Sequence, residues 1–170
     1  VKKRIEAAAL KSGRNSSAIT LVAVSKTVDN ETVRQAYELG IRDFGENRAQ
    51  ELNRKVAALP EARWHFIGRL QTNKVKDVVG KAVLIHSLDR WSLAEEIDKR
   101  GQSKGIEVPC LLQVNIAGEE QKAGVEPREV ESFLQSVGQL KSIRIYGLMT
   151  MAPLLDNREY GRAIIKELAE

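Results

Sequence analysis

One lysine stands where a buried strand should end. Residues 19–25, Ile-Thr-Leu-Val-Ala-Val-Ser, are nearly continuously apolar and rich in β-branched side chains, and Lys26 follows directly. That composition suits a parallel strand covered on both faces. A strand of this kind delivers one amine to the C-terminal rim of its sheet, where a partly desolvated lysine is a nucleophile for an aldehyde. A lysine that marks the strand end and extends into solvent satisfies the same residues, and taken alone it is the commoner case. Side-chain alternation puts Val22, Val24 and Lys26 on one face and Leu21, Ala23 and Ser25 on the other. If Lys26 points into a barrel mouth, the two valines fill the barrel beneath it.

Other strand ends carry polar groups. Gly45-Glu46-Asn47 ends the second expected strand at the equivalent rim, where Gly45 permits close approach and Asn47 offers a donor and an acceptor. Glu46 or Asn47 acting as a cap for the next helix is an equal reading. His65 lies in Trp64-His65-Phe66-Ile67-Gly68 and shares a face with Ile67, which on local sequence reads first as a satisfied core histidine and only second as a ligand. His86 falls on another strand, so no second histidine is expected beside His65, and one cysteine builds no site; a metal is not expected. The loop at 115–124 is charged and glycine-flanked, with Lys122 able to lean toward an anion. Met149, at the end of Gly147-Leu148-Met149-Thr150-Met151, is suited to packing on a flat ring or to ordinary core packing.

The elements that must position these residues alternate. Val1, Ile5, Ala8 and Ala9 give a leading helix with Gly13 as its stop. Strands are expected near 19–25, 42–45, 63–67, 83–87, 108–116 and 143–151. Helices fall between them: one capped by Asp29 or Asn30 and closed by Gly40, one from Ala49 to the break at Pro60, a short one at 74–79, one at 91–100 that Gly101 can end, and one beginning at Pro127. A last helix begins after Asn157. Strand-helix alternation implies a parallel sheet, either a barrel or a doubly wound open sheet. Val24-Ser25-Lys26-Thr27 lacks the closely spaced glycines of a dinucleotide fingerprint, which favours the barrel.

Composition narrows the class further. The 170 residues suit one domain; 42% are hydrophobic and 29% charged, with no apolar run long enough to span a bilayer. Cys110 is the only cysteine, so no internal disulfide forms, and its apolar surroundings read as those of a buried thiol. No signal peptide is visible, which places the protein in the cytoplasm. Net charge is +4 with both signs interspersed and aromatics are only 5%, so a nucleic-acid-binding module ranks last.

Residues 21–27 (Leu-Val-Ala-Val-Ser-Lys-Thr), Phe44-Gly45-Glu46-Asn47 and residues 64–74 (Trp-His-Phe-Ile-Gly-Arg-Leu-Gln-Thr-Asn-Lys) carry a resemblance over nearly the whole chain. Ile85-His86-Ser87-Leu88-Asp89, the loop at 113–124 and Tyr146-Gly147-Leu148-Met149-Thr150 extend it. With them the chain resembles the pyridoxal 5'-phosphate (PLP) homeostasis proteins, related to the N-terminal barrel of alanine racemase. The resemblance implies an α/β fold, a PLP-binding TIM (β/α)8 barrel of alanine racemase type, with about six βα units present and the C-terminal strands and phosphate-binding loops lacking. It implies a non-catalytic, intracellular PLP-binding protein of vitamin B6 homeostasis that holds the cofactor as a Schiff base on Lys26, with Asn47, His65 and Met149 around it. PLP-dependent apoenzymes are candidate recipients, and a monomer is expected. A racemase-like enzyme is the alternative; it needs a second base opposite Lys26, and Tyr37, Tyr146 and Tyr160 sit in expected helices or a strand.

Overall fold

Six parallel strands follow one another in the sheet in the same order as in the chain. They are β1 (Ala23–Val24), β2 (Asp43–Glu46), β3 (Arg63–Phe66), β4 (Leu84–Leu88), β5 (Val108–Gln113) and β6 (Ile143–Met149) in a computed structural model that describes residues 1–116, 123–151 and 158–169. A doubly wound sheet reverses its strand order at a switch point. No reversal occurs here, so the curved, barrel-type arrangement is the one adopted.

Helix α1 (Lys2–Lys11) leads, and α2 (Asn30–Glu38), α3 (Ala49–Ala58), α4 (Val75–Val78), α5 (Trp91–Lys104), α6 (Val130–Val137) and α7 (Arg158–Ala169) follow the successive strands. Asp29 caps α2 by accepting from the Thr32 amide at 2.7 Å. Among the described residues no helix is long and apolar enough to cross a membrane.

The core lies between the sheet and its helices. Phe44, Trp64, Phe66, Ile85, Cys110 and Leu112 project outward and are buried beneath Leu52, Val75, Val78, Leu93 and Ile97. The Phe44 and Trp64 rings lie 5.4 Å apart, and the Trp64 indole donates to the Leu59 carbonyl at 3.0 Å. Each large side chain removed from water contributes about 1.5–3 kcal/mol, so this outer layer holds the sheet's shape. Burial pushes the Cys110 thiol up to about 12, as expected of a packing residue.

Several expectations are corrected. The first strand pairs only at Ala23 and Val24, opposite Phe44 and Gly45, and residues 19–22 lie outside the ladder. Val24 is 51% exposed instead of filling a barrel. Gly101 does not end α5: the helix continues to Lys104 and closes at left-handed Gly105 (φ 62°). Gly101 is buried instead, and a Cβ there would lie 2.6 Å from Ser142 Cβ, so the position requires a bare backbone. The fifth and sixth strands stop at Gln113 and Met149, earlier than 116 and 151.

Candidate functional site

Lys26 follows β1 at the C-terminal rim, opposite in parity to Ser25, which is buried on the helix-covered side. Ser25 donates its amide to the Gly45 carbonyl and accepts from the Val28 amide, both at 3.0 Å. The chain then turns sharply through Thr27, the one non-glycine residue with positive φ (66°) among those described. Lys26 thereby lines a cavity of about 410 Å³ with Asn47, Ile67, Arg69, Gln113, Thr150 and Met151, all at or just past strand ends. This is the face on which barrel folds place their ligands.

The cavity's walls are partly apolar (Ile67, Val114, Met151) and partly amide and hydroxyl (Asn47, Gln113, Asn115, Thr150). Lys26 and Arg69 supply two cations, the second also paired with the buried Asp89 carboxylate at 3.7 Å, and no carboxylate lines the cavity itself among the described residues. Such a site favours an anion. Gly68 shapes the floor between β2 and β3, since a Cβ there would stand 2.3 Å from the Asn47 carbonyl oxygen. Gln113 donates to the Ala123 carbonyl at 2.9 Å, which holds the segment after β5 against its rim, and Thr150 donates to the Val114 carbonyl at 3.0 Å, which ties the rims of β5 and β6 together.

His65 is placed elsewhere. It lines a second cavity of about 490 Å³ toward the other end of the sheet with Asp43, Arg63, His86 and Tyr146. Its Nε2 lies 3.1 Å from Asp43 Oδ1 and its Nδ1 2.9 Å from His86 Nε2. The bond to Arg63 holds the Asp43 carboxyl below the usual carboxylate value, so Asp43 is an ionised acceptor. His65 therefore donates through Nε2, and in the neutral pair His86 donates to His65 Nδ1. His86 is thus not isolated from His65, as strand separation in the sequence implied, because β3 and β4 are sheet neighbours. Burial, then the adjacent His65, pushes His86 from 6.5 down to about 4.

Of the four sequence candidates, Lys26 and Asn47 share a cavity, His65 does not join them, and Met149 is one residue short of the lining pair Thr150 and Met151. Met149 pairs with the lining residue Gln113, and its carbonyl accepts from Val114 at 2.8 Å. Arg69, Gln113 and Thr150 also line the cavity, and the residue-by-residue reading of the sequence did not single them out. Lys122 and most of the loop at 117–124 lie outside the described residues, as do residues 152–157.

Glu46 is not a helix cap. It is fully buried on the outer face, where its Oε1 accepts from Ser25 Oγ at 2.7 Å and from Lys55 Nζ at 2.5 Å. Lys55 Nζ also donates to the Ser25 carbonyl at 2.5 Å. The N-cap of α3 is Arg48, which makes no side-chain cap bond.

Residues 3–170 match the alanine racemase N-terminal domain. The pyridoxal phosphate homeostasis protein of Aquifex aeolicus is 45% identical over 172 residues, covering all of this chain and 75% of that protein. Its counterpart in Pseudomonas aeruginosa is 36% identical over the same coverage. PipY of Synechococcus elongatus, solved with PLP bound, superposes with a TM-score of 0.83 at 36% identity over 96% of this chain and 77% of that one. Alanine racemase of Clostridium difficile shares the fold at a TM-score of 0.73 and 13% identity, over 88% of this chain and 40% of that one.

Proposed function

The chain belongs to the alanine racemase N-terminal domain family and within it to the pyridoxal phosphate homeostasis proteins, and on that premise we propose that it binds PLP covalently through Lys26 as a non-catalytic carrier in vitamin B6 homeostasis. The observation that carries this reading is the Lys26 cavity: one amine and one guanidinium, apolar side chains, amide donors and no lining carboxylate among the described residues. PLP, when bound, would supply an aldehyde for attack by the Lys26 amine. Arg69 answers an anion's charge, Asn47 and Gln113 offer hydrogen bonds to ring substituents, and Ile67 and Met151 exclude water from the ring faces. His65 acts from beneath, fixing β3 through its bonds to Asp43 and His86, and Met149 supports the β6 rim.

Release of PLP to apoenzymes in the cytoplasm, by a monomer, completes the proposal. The racemase alternative needs a base opposite Lys26; Tyr146 lines the His65 cavity instead. Full-length protein saturated with PLP is expected to leave alanine without solvent-deuterium exchange, and rapid exchange with inversion would overturn the carrier reading. For the covalent site, wild type and Lys26→Ala are incubated with PLP, reduced with borohydride and mapped by peptide mass. The pyridoxyl label belongs on the Lys26 peptide and disappears in the variant; equal scatter over surface lysines in both proteins would reject Lys26.

A further inference from the structure

We propose that the buried network of Ser25, Glu46 and Lys55 positions the Lys26 amine from the opposite face of the sheet, making Glu46 and Lys55 positioning residues for covalent PLP capture. The inference rests on the Lys26 reading above. Every polar group of Ser25 is engaged: its amide by Gly45, its hydroxyl by Glu46, its carbonyl by both Val28 and Lys55. That carbonyl belongs to the peptide leading into Lys26. On the far side of Lys26 stands Thr27, a β-branched residue in the left-handed region, which persists only where the surroundings over-determine it. The lysine's Cα is thus held between a fully bonded residue and a strained one, which limits where its long, flexible stem can carry Nζ.

The energetics favour a positioning role over a stabilising one. Glu46 and Lys55 are both buried, and among the described residues Glu46 Oε2 has no hydrogen-bond partner. Replacing a buried ion pair by well-packed apolar residues is often neutral or stabilising, and in some proteins buried ionic groups serve to specify one geometry. Here the geometry specified is the end of β1. Because Lys55 sits on α3, the network fastens the rim of β1 to the helix that follows Asn47, coupling the two strand ends that share the cavity.

The test uses full-length protein and three variants: Lys55→Met, the double variant Glu46→Gln/Lys55→Met, and Lys26→Ala as the control for the site itself. The double variant removes both charges at similar volume, so it carries the measurement if Lys55→Met alone fails to fold by circular dichroism. PLP is added over a concentration series, borohydride quenches at timed intervals, and label on the Lys26 peptide is quantified. The folded variants are expected to reach a maximal labelling rate about ten- to a hundred-fold below wild type, at an unchanged half-saturating PLP concentration. A merely structural network would lower the melting temperature and leave the maximal rate alone, and that result in the folded double variant overturns the inference. Absence of label on Lys26 in wild type would instead remove the covalent-site reading, and the inference with it.

Discussion

Strand β2 carries two carboxylates, Asp43 and Glu46, on opposite faces, and each holds a cation from another element. Asp43 meets Arg63 at 2.6 Å with the arginine side chain 60% exposed above a carboxylate that is only 9% exposed; Glu46 meets Lys55 at 2.5 Å with both side chains at most 1% exposed. Contact distance is nearly equal, yet the surroundings differ. An exposed pair is screened by water and ions, whereas a dry pair interacts strongly and leaves a stranded charge if one partner is lost. The outer pair lies wholly inside the helix-covered layer, and the inner one joins a chain of side chains from Asp43 through His65 to His86.

The sharpest way to break the comparison is to strand one charge. Lys55→Ala is expected to cost about 3–5 kcal/mol, read as a lower urea midpoint at unchanged slope. A cost near that of an exposed pair would mean that water reaches Glu46.

Asp43→Asn should cost less, about 1–2 kcal/mol, since Arg63 can turn to water and His65 exchanges an ionised acceptor for a neutral amide oxygen. The Asp43 carboxyl lies below its ordinary 3.8 because it bonds Arg63. Its contribution is therefore complete above pH 3.8 and is lost as pH falls through the lower folded value. In the variant, the loss of stability below pH 3.8 should shrink, as followed by thermal melts down that range.

His86 has the opposite sense of charge and a different window. Burial, then His65, depresses it from 6.5 to about 4, so the folded state resists a proton that the unfolded chain accepts. Stability should fall as pH drops from 6.5 and the penalty should be complete below about 4. His86→Gln keeps a donor for His65 and removes that titration. Melting temperature against pH should flatten between those limits in the variant, while a slope equal to wild type would assign the proton to another group.

The outer layer is largely legible in the sequence, because Phe44, Trp64, Phe66 and Ile85 obey strand periodicity and Leu52, Leu93 and Ile97 obey helical periodicity. Lys26 is legible for the same reason, as the residue at which an apolar run stops, and parity correctly opposes it to Ser25. Barrel or open sheet is not a property of local periodicity; the sheet order decides it. The partners of polar residues are hidden too. Glu46 finds Lys55 nine positions on and His65 finds His86 across a strand pair, contacts that depend on register and on helix placement. Gly101 misled because a glycine needed for close packing and one that ends a helix look identical in one dimension, and only Gly105 has the left-handed backbone.

The smallest effect belongs to Arg63→Ala, which removes the same kind of partner from β2 as Lys55→Ala does. Its guanidinium makes two bonds to Asp43, at 2.8 and 2.6 Å, but it remains largely in water. Asp43 is itself largely buried, but the arginine that covers it stands in solvent, so removing the guanidinium opens a path for water to the carboxylate and no charge is sealed in a dry layer. His65 keeps its acceptor, and the β2–β3 ladder, including the Asp43 and Arg63 pairing, is a backbone feature the substitution leaves alone. The loss should therefore be the least of the four and should vanish in about 1 M salt, where the screening length falls to about 3 Å. Denaturation by urea, which is uncharged, allows wild type and variant to be compared at low and high salt. The Lys55→Ala deficit should survive the salt, because ions do not enter its layer. Equal salt sensitivity of the two variants would collapse the distinction between the dry and wet pairs.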